Sequence, residues 1–274
     1  MLLFEAPLDF DPAIWQAYQS WMPLTADPEK VTVLVCDPLG GEIGESHLRA
    51  FPNLKVLATP STGTDHIDLE ACQRVGVKVV SLLDDRPGLD TISASAEFTF
   101  KLLLDAFRLA PAQELQGKAI GLTGYGRIGK RLMHWLSAFG ASARVHDPKY
   151  KGLSLPLAEV FRTCDGAVIC CSLTPETRGM ITGPILRSMK TNAVLVNTAR
   201  GEILDEEALV WVMRERPDLR VALDVVSGET DGTANPERLK RLGAIVTPHI
   251  AGATLESRTK AARVILDLLR KELL

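Results

Sequence analysis

Four runs in this chain put reactive side chains where a short apolar stretch gives way to a loop. The first is Asn197-Thr198-Ala199-Arg200-Gly201. A guanidinium there can fork onto a carboxylate and also polarise a neighbouring carbonyl. The second is Leu223-Asp224-Val225-Val226, with Glu229 five residues beyond Asp224. The third, Thr247-Pro248-His249-Ile250-Ala251-Gly252, runs through a proline into a histidine. The fourth, Ser61-Thr62-Gly63-Thr64-Asp65-His66, is a glycine-centred loop whose backbone N–H groups suit an anion. Each has a plainer explanation on its own: a surface arginine, a solvated loop acid, a histidine that fixes a turn. Together, an arginine and a Glu–His pair are a sufficient set for chemistry on a 2-oxo acid. The arginine holds the carboxylate, the histidine exchanges a proton with the oxygen, and the glutamate stabilises the imidazolium.

A fifth run supplies the other half of such chemistry. From 121 to 147 the chain reads GLTGYGRIGKRLMHWLSAFGASARVHD. An apolar run leads into Gly124-x-Gly126-x-x-Gly129, an amphipathic segment follows, and a second apolar run ends at Asp147, 18 residues past the last glycine. This is the strand–turn–helix–strand–acid layout of a dinucleotide site. Gly124 permits a tight turn, Gly126 lets backbone approach a pyrophosphate, and Gly129 lets the helix pack close to the strand. The helix N-terminus adds N–H groups and a positive dipole end. Asp147 can accept hydrogen bonds from both ribose hydroxyls and would repel a 2′-phosphate, so the expected cofactor is NAD.

Composition narrows the class. The chain has 274 residues, 46% hydrophobic and 24% charged, with a net charge of −3, so nothing suggests a nucleic-acid surface. Residues 1–88 hold 6 Lys/Arg against 13 Asp/Glu and carry −7, which leaves +4 on the remainder. An acidic first segment recruits a phosphorylated ligand poorly, whereas the basic remainder suits a pyrophosphate. Five cysteines (Cys36, Cys72, Cys164, Cys170, Cys171) show no CxxC and no Cys/His metal spacing. No metal is expected, and the odd count fits a reducing cytoplasm. The N-terminus lacks a basic n-region, and no apolar run approaches 18 residues, so neither a signal peptide nor a membrane span is expected.

Strands are expected over 2–5, 31–36, 54–59, 77–81, 119–123, 142–146, 167–171, 193–197, 221–224 and 244–247. Helices are expected near 67–75, 93–109, 127–139, 156–163, 183–190, 205–216, 236–242 and 255–272. Such alternation implies an α/β fold with parallel sheets and right-handed crossovers. Ten strands are many for one open sheet, and the glycine motif begins a fresh βαβ series, so two domains are read. The 93–109 helix, after a turn signal at Arg86-Pro87-Gly88, is expected at the hinge. On pattern alone the final helix fits either domain.

The chain resembles the D-isomer specific 2-hydroxyacid dehydrogenase family over roughly 54–272. The resemblance is carried by TGTDHID (62–68), SAEF (95–98), ELQGKAIGLTGYGRIGKRL (114–132), LTPETRGMI (173–181), VNTARGEILDEEAL (196–209), ALDVV (222–226) and TPHIAGAT (247–254). It implies two Rossmann-like domains with a cleft between them: a substrate domain of 1–88 plus 256–274, completed by the C-terminal helix, and an NAD-binding domain of 89–255. It implies catalytic roles for Arg200, Glu229 and His249, and a substrate carboxylate on the Thr62 and Gly63 amides and Arg200. Cofactor contacts would come from Gly124, Gly126, Arg127, Ile128, Gly129, Asp147, Thr174, Thr198, Ala199 and Asp224, the last at the nicotinamide carboxamide. The implied protein is a cytoplasmic homodimer that reduces glyoxylate, hydroxypyruvate or a similar small 2-oxo acid with NADH. A non-enzymatic NAD(H)-sensing or scaffold relative is the alternative. Against the family's pattern, the 109–114 connection is short, Ser172 stands where proline is usual, Cys170 where histidine is common, and Thr-Asp-Gly follows Glu229.

Overall fold

The computed structural model describes residues 1–6, 8–229 and 231–273, so the readings that touch Pro7, Thr230 and Leu274 lie outside the described residues there. The chain divides into two compact units. One comprises Met1–Ile92 and the C-terminal stretch from Ala253, and the other Ser93–Glu229 and Thr233–Gly252. The breaks thus fall after Ile92 and Gly252, a few residues from those read in the sequence.

In the first unit, β1 (Leu2–Phe4), β2 (Val33–Val35), β3 (Val56–Thr59) and β4 (Lys78–Ser81) form a parallel sheet in that order. Four helices lie between and after these strands: α1 (Pro12–Trp21), α2 (Glu45–Arg49), α3 (Leu69–Arg74) and α4 (Arg86–Asp90). Side chains alternate across the sheet. Val33, Val35, Val56 and Ala58 face one apolar cluster, and Leu34 and Leu57 face the other. The chain's final helix, Leu255–Leu273, packs into the first of these clusters through Ala261, Ala262, Ile265, Leu266 and Leu269. There the fully buried Tyr18 hydroxyl donates to Ala262 O at 2.7 Å.

Three elements here differ from the sequence reading: α1, α2 and α4, of which α2 at Glu45–Arg49 was not expected. Helix α1 was not expected, because its segment begins among acids and a proline. In the structure Pro12 occupies the first turn, where its missing N–H costs nothing, and the Asp11 side chain accepts from Ala13 N. The run Arg86-Pro87-Gly88 was read as a turn, yet it forms α4, capped by Asp85 accepting from Gly88 N. Gly88 serves packing rather than turning, since a Cβ there would lie 2.6 Å from Val264 Cγ2 of the final helix.

The second unit begins with α5 (Ala94–Arg108), which was expected at a hinge. It packs Leu102, Leu103, Ala106 and Phe107 into a core shared with Val168, Val194, Val196 and Ala222 of that unit's own sheet. Then come β5 (Ala119–Thr123), α6 (Arg127–Ala138), β6 (Ser142–His146), α7 (Leu157–Thr163), β7 (Gly166–Ile169), α8 (Gly183–Arg187) and β8 (Val194–Asn197). The unit ends with α9 (Glu206–Glu215), β9 (Arg220–Leu223), α10 (Pro236–Lys240) and β10 (Ile245–Val246); the final helix of the chain is α11. All neighbouring strands run parallel, in the order β6-β5-β7-β8-β9-β10. The chain steps from β5 to β6 on one side, then returns to β7 on the other. At the carboxyl ends of β5 and β7 this reversal opens the crevice where open α/β sheets bind ligands.

Two glycines shape the turn at that switch. Gly124 has φ +106°, and a Cβ on it would stand 2.7 Å from Cys171 N. A Cβ on Gly129 would stand 2.3 Å from Gly124 O, so α6 can approach the turn only without one. Among the described residues no helix is long and apolar enough to cross a membrane.

Candidate active site

The groups singled out in the sequence emerge from neighbouring strands. Asn197 at the end of β8 pairs with Leu223 of β9, which pairs with Val246 of β10. The loops carrying Arg200, Glu229 and His249 therefore leave one edge of one sheet.

Asp224 governs the last of these loops. Its side chain is fully buried. Oδ1 accepts from Thr247 Oγ1 at 2.5 Å and from Ile250 N at 2.9 Å, and Oδ2 accepts from Ala251 N at 2.7 Å. Its backbone carbonyl accepts from His249 N at 2.9 Å. A buried carboxylate is tolerated only when donors replace its water, and here the 247–251 loop supplies them. Held by both ends, His249 takes φ +53°, a left-handed conformation costly for a residue with a Cβ.

That backbone strain sets the ring against Glu229. His249 Nδ1 lies 2.7 Å from Glu229 Oε2, and the other oxygen, Oε1, accepts from Val226 N at 2.9 Å. Both side chains are about a quarter exposed, at 26%. A carboxylate is acceptor-only, so Nδ1 is the nitrogen that carries hydrogen, and Nε2 is left to give or take a proton. This is the arrangement of an oriented general acid–base pair.

The Arg200 loop is set by a residue outside the expected site. Asn197 is fully buried, and its Oδ1 accepts from Ala199 N at 3.0 Å while Nδ2 donates to Arg200 O at 2.8 Å. One amide thus bridges the turn, and Arg200 itself is extended, donating from Nη1 to Ala199 O at 2.8 Å. Its sequence signal is a polar residue closing the otherwise apolar run Val194-Leu195-Val196. Thr198 Oγ1 lies 2.6 Å from Thr99 Oγ1, and Thr99 gives its own hydrogen to Ser95 O at 2.5 Å. Thr198 is accordingly the donor to Thr99, and its remaining capacity toward any ligand is as an acceptor.

At the nucleotide end, a Cβ on Gly126 would meet no described atom within 4 Å, and its φ is an unstrained −79°. Neither the turn nor internal packing requires glycine there. The side it leaves open is the one at the start of α6, which no described side chain caps, beside Arg127 and Ile128. A pyrophosphate fits that position. Asp147 follows β6, with Oδ2 accepting from Tyr125 N at 2.8 Å and Oδ1 from Lys149 N at 3.0 Å. Two aromatic residues that the sequence reading passed over stand beside it. The rings of Tyr125 and Tyr150 meet edge to face at 5.1 Å, with Lys130 Nζ 5.8 and 5.4 Å from their centroids. Thr174 opens the turn after β7, where its N–H donates to Thr177 Oγ1 at 2.7 Å. Cys170 and Cys171 pack behind the glycine turn, and burial pushes the Cys171 thiol up to about 12, which suits an inert apolar filler.

Thr62 and Gly63 lie in the first unit, in the loop after β3. The Gly63 N–H donates to Ser61 Oγ at 3.1 Å, so an anion arriving there would share or replace that acceptor. His66 in the same loop is buried, with Nε2 3.3 Å from Thr59 Oγ1.

Residues 104–251 match the NAD binding domain of D-isomer specific 2-hydroxyacid dehydrogenases. A glyoxylate reductase of Thermofilum pendens is 33% identical, over 90% of this chain and 80% of that protein. A D-3-phosphoglycerate dehydrogenase of Methanocaldococcus jannaschii is 31% identical, over 85% of this chain and 48% of that one. Among solved structures, an NAD+-bound 3-phosphoglycerate dehydrogenase from Entamoeba histolytica superposes with a TM-score of 0.83 at 24% identity, covering 99% of this chain and 94% of that chain.

If Asp224 holds the histidine loop, Asp224→Asn should loosen it, since hydrogen bonds to a charged group contribute about 1.5–3 kcal/mol each. Hydrogen exchange by mass spectrometry on peptides spanning 247–252 should then speed up markedly. Unchanged exchange would show that the loop stands without the carboxylate.

Proposed function

The chain belongs to the D-isomer specific 2-hydroxyacid dehydrogenase family, and from that premise we propose that it reduces a small, unphosphorylated 2-oxo acid, with His249 as the proton donor. It is an NAD-dependent 2-hydroxyacid oxidoreductase, and the finer reading rests on its own side chains. The observation that carries it is the 2.7 Å contact between His249 Nδ1 and Glu229 Oε2. With Nδ1 held, His249 Nε2 passes its proton to the carbonyl oxygen of the acid, and Glu229 stabilises the ring while it is charged. Arg200 forks onto the carboxylate and draws electron density from the adjacent carbonyl. Thr62 and Gly63 are proposed to offer backbone amides to that carboxylate. Gly124, Gly126, Arg127, Ile128 and Gly129, with Thr174, Thr198, Ala199 and Asp224 near them, would hold NADH, which would supply the hydride. Asp147 takes the adenosine ribose and disfavours a 2′-phosphate.

Two considerations support glyoxylate or hydroxypyruvate over a phosphorylated acid. Relatives named glyoxylate reductase match over about four fifths of their own length, whereas those named D-3-phosphoglycerate dehydrogenase match over about half of theirs. Residues 1–88, which carry most of the expected substrate domain, also hold −7, and like charge repels a phosphate. The same resemblance and the absence of a paired-cysteine framework support a cytoplasmic homodimer, a state that a monomer mass in light scattering would contradict.

Oxidation of NADH, followed by absorbance, is expected with glyoxylate or hydroxypyruvate, and D-3-phosphoglycerate is expected to be a poor substrate in the reverse direction. A preference for the phosphorylated acid would overturn the substrate assignment. Replacing His249 with Ala should cost about 10²–10⁴-fold in kcat while NADH binding, read by fluorescence, persists. Retained turnover in that variant rules out His249 as the proton donor. Asp147→Ala should raise the NADPH/NADH ratio of kcat/KM by about tenfold, equivalent to about 1.4 kcal/mol of relieved repulsion. An unchanged ratio removes Asp147 from cofactor choice.

A further inference from the structure

Glu229 sits on a loop, and a loop places a side chain only as well as its own backbone is held. After β9 the amide of Val226 is engaged by Glu229 itself. The next amide, Ser227 N–H, donates to Glu206 Oε2 at 2.8 Å, across 21 residues of sequence. Glu206 is the first residue of α9, and the helix has no need of it as a cap. Asp205 fills that role, its Oδ1 accepting from Ala208 N at 2.9 Å. The neighbouring Glu207 behaves as an ordinary first-turn acid, exposed and paired with Arg238. Glu206 instead turns inward and is half-buried, and desolvation, only partly offset by the Ser227 amide, raises its pKa above the ordinary carboxylate value. A carboxylate held where its charge is disfavoured contributes through the group it holds rather than through its own stability.

A second contact fixes the same peptide. The backbone of Gly201 lies so close that a Cβ would stand 2.1 Å from Val226 C and 2.3 Å from Ser227 N. The peptide between Val226 and Ser227 is therefore pressed by the residue after Arg200 and hydrogen-bonded by the start of α9. The short helical turn Gly201–Ile203 links these two contacts.

We infer that Glu206 is a positioning residue for proton transfer: by holding Ser227 N–H against the Gly201 turn, it sets Glu229 where its Oε2 meets His249 Nδ1. The inference rests on the reading of His249 and Glu229 as the acid–base pair. Glu206 touches neither member of that pair; it acts through the backbone between them. An acceptor oxygen at this position, not a charge, is what the geometry requires.

The test uses the full chain with NADH and glyoxylate, comparing Glu206→Ala, Glu206→Gln, Glu229→Gln and His249→Ala. Glu206→Ala should lower kcat about tenfold, as a small displacement of a catalytic group does, while the Kd for NADH stays within about twofold. Glu206→Gln keeps an acceptor and should restore kcat to within about threefold of the parent. A merely structural role would lower the melting temperature and cofactor affinity together and would not be rescued in this way. If Glu206→Ala does not fold, Glu206→Asp, one methylene short of Ser227, is expected to show the same kcat loss. Full kcat in the Ala variant, or a Gln variant no better than Ala, overturns the inference alone. Intact kcat in both Glu229→Gln and His249→Ala shows that the acid–base reading has failed, and the inference falls with it.

Discussion

The buried carboxylate of Asp224 is the constraint on which the sheet edge carrying His249 depends. It has no access to water, so every lone pair it uses must be matched from within the protein. The matches come from Thr247, Ile250 and Ala251, which means that satisfying one acid shapes a whole loop. The strained φ of His249 is the local cost of that arrangement. The return is a ring placed 2.7 Å from Glu229 Oε2. Strain at His249 is tolerable because the surrounding hydrogen bonds over-determine it.

The same logic repeats on the two neighbouring strands. Asn197 spends both ends of its amide on the Arg200 turn, and Gly201 gives up its side chain so that this turn can press against the Glu229 loop. The loops after β9 and β10 are thus fastened by the buried Asp224, and the loop after β8 meets that after β9 through the close backbone approach of Gly201. Below them β8 and β9 are buried along their whole length and β10 is half-buried. A stiff sheet beneath short, internally bonded loops suits chemistry that tolerates little misplacement.

Much of this was legible in the sequence, and the reason is periodicity. The strands 119–123 and 142–146 stand with the bounds read from the chain, because glycines and an acid punctuate them sharply. The other strands were found with one or both ends off by one or two residues, because the last ladder hydrogen bond leaves no sharp mark in composition. Local composition misled where a residue served a distant partner. Gly88 looked like a turn but makes room for Val264, and Pro12, where no helix was expected, opens α1. At the site, residue type announced Arg200, Glu229 and His249, whereas the groups that hold them did not announce themselves. Glu206 acts through a hydrogen bond to backbone, which leaves no signature in side-chain spacing, whereas Asn197 shows only as the polar residue that closes an apolar run. The glycine loop at 62–63 likewise shows in sequence, but not that Ser61 takes the Gly63 amide.

The central claim is that Glu229 fixes the proton of His249 on Nδ1 and leaves Nε2 for the substrate. Nitrogen-15 NMR of the histidine-labelled protein, with His249 assigned by its absence in a His249→Gln variant, reads that directly. The account predicts that the neutral His249 ring shows a protonated, hydrogen-bonded Nδ1 and a bare Nε2. A neutral ring protonated on Nε2, with Nδ1 bare, would contradict it.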